Sequence, residues 1–369
     1  MLQEGRDKDA VFEATGQSVG VQDVSFEVEE GHIFVVMGLS GSGKSTLIRM
    51  INGLIRPTAG VIAIDGADIS RATAEDLRAV RREKVAMVFQ HFALFPHKTV
   101  VENVAFGLKI KGVSSAEQRA RALTVLEQVG LAERADRYPD ELSGGMQQRV
   151  GLARGLASDP QILLMDEPFG ALDPLIRSDM QEELLELQRR LKKTIVFITH
   201  DLHEALTLGD RIAIMRNGRF VQVGSAEEIV GSPADGYVSA FTSDIDRSRV
   251  FTAASVATPA TMVELSSTGP HEAISVMEEK ALDALHVTDA GRVVGLVTYR
   301  DAIAAARSGH VSLDEHVTAN WPTSAPHAHL NTLYSVAGRG LPILLKDDDG
   351  LPAGVVAPKA VFAKLAGEA

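Results

Sequence analysis

The sequence predicts an α/β fold in which a parallel sheet feeds a phosphate-binding loop, with a smaller α+β domain behind it. Three observations carry this. The stretch Gly38-Leu39-Ser40-Gly41-Ser42-Gly43-Lys44-Ser45-Thr46 lies between an apolar run, 33–37, and a helical pattern opening at Leu47. Further apolar runs at 84–90, 162–166 and 194–199 lead into polar residues, as buried parallel strands do where their carboxyl ends face a ligand. Last, residues 284–303 and 341–362 repeat strand, acidic turn, strand and helix in one order, which marks an internal repeat.

A chain of 369 residues has room for two or three domains. With 45% hydrophobic and 23% charged residues it has the composition of an ordinary globular protein. It contains no Cys, which excludes disulfides and thiolate metal sites. Its opening residues lack the basic-then-apolar pattern of a signal peptide, and no apolar run approaches the roughly 20 residues that span a bilayer. Any link to a membrane is therefore expected to pass through a partner. The net charge of −12 argues against nucleic acid as a partner, because such binding rests on neutralising phosphates with Lys and Arg. Arg78, Arg81, Arg82 and Lys84 form the densest basic cluster and read as a solvated helix face.

In chain order, Val24-Ser25-Phe26-Glu27-Val28 alternates as a strand does. In the glycine loop further along, glycines let the backbone approach a triphosphate, successive N–H groups point inward, and a helix N-terminus faces the anion. Lys44 then reaches the β- and γ-phosphates, and the Ser45 hydroxyl is a Mg²⁺ ligand. The strand 84–90 ends on Gln90. Residues 97–160 are mostly helical by pattern and include Leu142-Ser143-Gly144-Gly145-Met146-Gln147-Gln148-Arg149, where Ser143 is the expected N-cap and the two glycines make a second anion nest. The strand 162–166 ends in two carboxylates, Asp166 suited to the metal and Glu167 to polarising water. The strand 194–199 runs into His200. Four polar residues, Gln90, Asp166, Glu167 and His200, at the ends of such strands imply one site.

Together these segments resemble the nucleotide-binding domain of ABC transporters, a P-loop NTPase with a helical subdomain. Residues 38–45 look like the Walker A motif, Gln90 the Q-loop, 142–148 the signature motif, 162–166 Walker B with Glu167 beside it, Ala171-Leu172-Asp173 the D-loop, and His200 the switch histidine. The resemblance implies a head-to-tail homodimer with two ATP molecules at its interface. It implies that Gly38, Ser40, Gly41, Ser42, Gly43, Lys44, Ser45 and Thr46 hold the nucleotide, that Ser45, Gln90 and Asp166 hold Mg²⁺, and that Glu167, His200 and Gln90 serve catalysis. Ser143, Gly144, Gly145, Gln147 and Asp173 would complete the partner's site. Several phrases, among them 35–46, 86–94, 171–177 and 209–215, look closest to the ATPase subunits of quaternary-amine importers for glycine betaine, proline and choline. Such subunits sit peripherally on the cytoplasmic face of the inner membrane, with permease subunits and an extracytoplasmic substrate-binding protein as partners. An importer for another solute, such as a polyamine or amino acid, and a soluble non-transport ABC ATPase are the alternatives. The chain departs from the family at adenine: the usual stacking aromatic precedes the segment where it begins. Phe12, 26 residues before Gly38, lies among residues that read as helix and is expected to pack in the core.

The two repeats near the C-terminus resemble tandem CBS modules, an α+β arrangement that regulates related importers. Residues 250–369 carry 8 Lys and Arg against 13 Asp and Glu, so an anionic membrane surface should repel them. The expected organisation is a nucleotide-binding domain over 1–240 with its helical subdomain at about 92–160, a linker at 241–255, and the regulatory pair at 256–369.

Overall fold

The computed structural model describes residues 8–89, 93–170 and 172–367. The chain divides between Ser243 and Asp244 into two compact units.

The first unit opens with α1 (Lys8–Thr15) and β1 (Ile33–Met37), and α2 (Lys44–Ile51) comes after the glycine loop. Then come the short hairpin β2 (Ala63–Ile64) and β3 (Ala67–Asp68), α3 (Ala74–Glu83) and β4 (Val85–Val88). The helical part comprises α4 (Val100–Val104), α5 (Phe106–Ile110), α6 (Ser115–Gln128) and α7 (Gly144–Ala157). After it run β5 (Ile162–Asp166), α8 (Pro174–Leu191), β6 (Thr194–Thr199), α9 (Leu202–Leu208), β7 (Arg211–Arg216), β8 (Arg219–Gly224), α10 (Ala226–Gly231) and α11 (Gly236–Thr242).

Apart from the β2–β3 hairpin, which pairs only with itself, these strands form one sheet in the order β4-β5-β6-β1-β7-β8. All neighbours are parallel except β7 and β8. The central strands β1 and β6 are buried along their whole length, which is why they read as unbroken apolar runs rather than alternating ones. Helix starts are written locally. Thr73 with Asp76, and Thr99 with Glu102, form reciprocal capping boxes at α3 and α4, each satisfying two otherwise orphaned N–H groups. The helical part has its own core, with Val104, Leu108, Ala122, Leu126 and Val150 nearly inaccessible to solvent. Buried Asn103 braces the loop leading into it, accepting from the Phe95 N–H at 2.8 Å and donating to the Phe95, Lys98 and Thr99 carbonyls.

Two expectations for this unit are corrected. Residues 24–28 are not a strand. They alternate as expected, with Val24, Phe26 and Val28 packed on the sheet core and Phe26 stacked on Phe34 at 4.6 Å, but they pair with no neighbouring strand. Phe12 lies on α1 as its neighbours suggest, yet it is 54% exposed, and Val11 beside it is the buried residue.

The second unit contains β9 (Met262–Glu264), α12 (Pro270–Lys280), β10 (Ala284–Asp289), β11 (Arg292–Thr298) and α13 (Tyr299–Arg307), then β12 (Thr323–Ser324), α14 (Tyr334–Ala337), β13 (Ile343–Lys346), β14 (Pro352–Val356) and α15 (Pro358–Ala366). The repeat is thus strand, helix, strand, strand, helix, twice. Each half makes a three-stranded sheet with one parallel and one antiparallel pairing. Both antiparallel pairs carry a register shift near the end of their first strand, after Val287 and after Leu345. Residues 250–253 do not behave as a linker: Val250, Phe251 and Ala253 are buried in this unit, and the Ala253 N–H donates to the Ala328 carbonyl at 2.7 Å. Among the described residues no helix is long and apolar enough to cross a membrane.

Candidate nucleotide site

The site grows from the sheet's strand order. β4, β5, β6 and β1 are adjacent, and their carboxyl ends are level: Val88 lies opposite Met165, Asp166 opposite Ile198, and Met37 opposite Thr199. Residues just beyond these ends therefore converge. Gly38 comes directly after β1 at a position with no room for a side chain, since a Cβ there would stand 2.2 Å from the Met215 carbonyl oxygen. Gly43 caps α2 at φ 110°, in a region that L side chains rarely adopt. The loop is anchored from below by the Gly218 N–H, which donates to the Ser42 carbonyl at 2.7 Å. The buried Ser42 hydroxyl has no hydrogen-bond partner.

Lys44 is almost fully buried and reaches back under the loop, its Nζ donating to the Gly38 carbonyl at 2.7 Å and the Leu39 carbonyl at 3.2 Å. Glu167 Oε1 stands 3.6 Å away. Burial pushes the ammonium below its ordinary value, against the pull of Glu167 and then Asp166. The Ser45 hydroxyl donates to Asp166 Oδ1 at 3.1 Å, and burial raises the Asp166 carboxyl although Ser45 and Arg49 oppose it. Glu167 holds a left-handed backbone at φ 47° with its N–H on the Ile198 carbonyl at 3.0 Å. Its second oxygen lies 3.0 Å from His200 Nδ1. One lysine, two carboxylates, a hydroxyl and an imidazole thus form a connected set beside a nest of backbone amides, an arrangement suited to binding and transferring a phosphoryl group.

Residues 21–170 match the ABC transporter family, and residues 254–308 match the CBS domain. The glycine betaine transport ATP-binding protein OpuAA of Bacillus subtilis is 47% identical over 100% of this chain and 88% of its own length. The chain belongs to the ATP-binding proteins of ABC transporters. The glycine betaine/proline betaine transport system ATP-binding protein ProV of Escherichia coli is 50% identical to this ABC protein over 85% of its chain and 79% of ProV. A bacterial ABC transporter cassette solved as a dimer is similar in structure, with a TM-score of 0.52 and 38% identity over 56% of this chain and 90% of that one.

In this ABC ATPase the remaining sequence-predicted residues are spread more widely. Gln90 lies outside the described residues, as does Ala171 at the head of the D-loop. Ser40 and Gly41 are exposed on the phosphate loop, and Thr46 packs beneath Gly20. Ser143 caps α7, its hydroxyl accepting from the Met146 N–H at 3.4 Å, with Gly144 and Gly145 opening the helix. Gln147 spends its amide on the loop before it, donating to the Pro139 carbonyl at 2.9 Å and the Leu142 carbonyl at 3.2 Å. Asp173 stands exposed at the head of α8 with no cap hydrogen bond from its carboxylate. Among the described residues no hydrogen bond or ion pair joins Ser143, Gln147 or Asp173 to Lys44, Asp166 or Glu167. Within one chain, then, the structure assembles the Lys44 cluster and leaves these residues apart from it.

Sequence reasoning passed over Arg177, Thr199 and Glu204. Glu204 is buried and accepts the Thr199 hydroxyl at 2.5 Å, and Arg177 reaches the neighbouring Asp201 at 3.1 Å. The two carboxylates one and four positions after His200, Asp201 and Glu204, are the one signal that pointed to this network.

Proposed function

We propose that this protein is the energy-coupling ATPase of an importer for glycine betaine-type osmoprotectants. The observation that carries this reading is a likeness to a glycine betaine transport protein that spans the whole chain, the C-terminal unit included. The geometry supports the chemistry. Lys44 exchanges its two carbonyl partners for the β- and γ-phosphates of ATP, and the loop amides between Gly38 and Thr46 surround the anion. Ser45 and Asp166 offer adjacent hard oxygens, a donor set that fits Mg²⁺ completed by phosphate and water, with Gln90 as a further ligand. The metal, when bound, neutralises charge on the phosphates. Glu167 orients the attacking water, and His200, held against it, supports the charge that develops.

The second half of each site comes from a second copy of the chain. Ser143, Gly144, Gly145 and Gln147 of one subunit face the phosphates held by the other, and Asp173 lies at the join. Gln90 links the site to permease subunits, an extracytoplasmic binding protein delivers the solute, and the ATPase sits peripherally on the cytoplasmic face of the membrane. The C-terminal unit regulates turnover.

The test is ATP hydrolysis by the full chain assembled with its permease in liposomes, with binding protein and glycine betaine, proline or choline, at low and high internal salt. Stimulation by one of these solutes is expected. Basal hydrolysis that none of them stimulates would leave an ABC ATPase and discard the osmoprotectant reading.

A further inference from the structure

Arg177, on the first turn of α8, joins two loops that are distant in sequence. Its Nη2 donates to the Leu172 carbonyl at 3.2 Å, in the turn that presents Asp173. Its Nη1 donates to Asp201 Oδ2 at 3.1 Å, immediately after His200. Its Nε is buried without a hydrogen-bond partner, 3.7 Å from Glu204 Oε1. Asp201 is held at several points besides. Its Oδ1 accepts from the His203 N–H at 2.8 Å and the Glu204 N–H at 3.4 Å, and its own N–H donates to Thr199 Oγ1 at 2.9 Å. Thr199 in turn donates to Glu204. His200 is therefore flanked on both sides by residues of one hydrogen-bonded network, while its ring alone projects to Glu167.

We infer that Arg177 is a positioning residue that couples the Leu172–Asp173 turn to the backbone carrying His200. A planar guanidinium with donors on separate edges can hold a carbonyl and a carboxylate at fixed separation, which a single ammonium cannot. A displacement of the Asp173 turn is delivered through Leu172, Arg177 and Asp201 to His200, and so to the His200–Glu167 contact. Arg177 touches neither nucleotide nor the reacting atoms. It acts on the rate of the chemical step, because small misplacements at a reacting centre are costly, and leaves the phosphate loop's affinity alone.

This inference rests on the catalytic roles proposed above for Glu167 and His200, and the experiment separates the two. Steady-state hydrolysis of MgATP by the full chain is measured for Arg177→Met combined with Glu204→Gln, which leaves no unpaired buried carboxylate, and for Arg177→Lys. The combined variant is expected to lose on the order of 10²-fold in kcat with the KM for ATP and the thermal midpoint unchanged. Arg177→Lys, which keeps the charge but not both bonds, is expected to lose about tenfold, and it decides the matter alone if the combined variant does not fold. Added to His200→Ala, the Arg177 change should cost nothing further in single-turnover rate, since it acts through that histidine. Wild-type kcat in the Arg177 variants, a loss confined to KM, or losses that multiply with His200→Ala overturn the inference. A His200→Ala variant at full rate overturns the underlying catalytic reading instead.

Discussion

Lys44 and Glu167 face each other across 3.6 Å beneath the phosphate loop, so the nucleotide-gripping charge and the candidate water-orienting carboxylate neutralise one another before ATP arrives. Glu167 is further tied to His200. A phosphate that draws Lys44 toward itself releases one oxygen of Glu167 while the histidine keeps hold of the other. On the function proposed above, binding of the substrate thereby frees the carboxylate assigned to orient water.

Glu167→Gln separates binding from turnover. Glutamine fits the same volume and, being an L residue too, meets the same strain at φ 47°; what it removes is the charge. The variant is expected to bind ATP at least as tightly as the parent and to hydrolyse it about 10² to 10⁴ times more slowly. Equilibrium binding of labelled ATP and phosphate release check the two halves, and near-normal hydrolysis would end the assignment of Glu167.

Gly38→Ala tests how the loop is seated. The added methyl would lie 2.2 Å from the Met215 carbonyl oxygen and 2.8 Å from Ser42 Oγ. Backbone cannot step aside as a flexible side chain does, so the end of β1 or β7 must move. We expect a loss of about 1 to 3 kcal/mol in stability, read by denaturant titration, together with weakened ATP binding.

Much of this site was legible because parallel strands buried on both faces write themselves as apolar runs. Lys44, Asp166, Glu167 and His200 could be found at or just beyond the carboxyl ends of those runs. Residues 24–28 misled because alternation records burial on one side, which Phe26 has against Phe34, and does not record a strand partner. Phe12 misled because a helix carries exposed apolar residues as well as buried ones. The repeats were read only in their antiparallel halves: β9 has three residues and β12 two, too few for any period to show. Arg177 was invisible for a different reason. Its partner Asp201 lies 24 positions along the chain, and an arginine on a helix reads as a solvated one.

Removing residues 244–369 should leave basal hydrolysis intact. Lys44, Asp166, Glu167, His200 and the network around Arg177 all belong to the first unit, whose sheet and helical part each have their own core. Hydrolysis by the truncated chain, measured beside the full one across a range of salt, is expected to match at low salt and to lose its salt response. A truncated chain that folds yet binds no ATP would place part of the site in the second unit.

The second unit should carry an acid transition of its own. His286, in the middle strand β10 with Met262 and Leu296 beside it, is 1% exposed and its Nε2 has no partner. Burial pushes the imidazole from its ordinary 6.5 down to about 4, so the folded unit holds it neutral. The unfolded chain takes up the proton first as pH falls. Stability is therefore complete above about pH 6.5 and declines as pH drops toward 4, by about 3 kcal/mol in all. The chain's one tryptophan, Trp321, lies in the same unit with Lys346 5.6 Å from its ring centroid, so its fluorescence reports on this unit alone. Urea titrations read by that signal should show a midpoint that falls between pH 6.5 and 4, and in His286→Leu that dependence should flatten, because a buried apolar side chain has no proton to take up. An unchanged slope in the variant would assign the acid sensitivity to other groups.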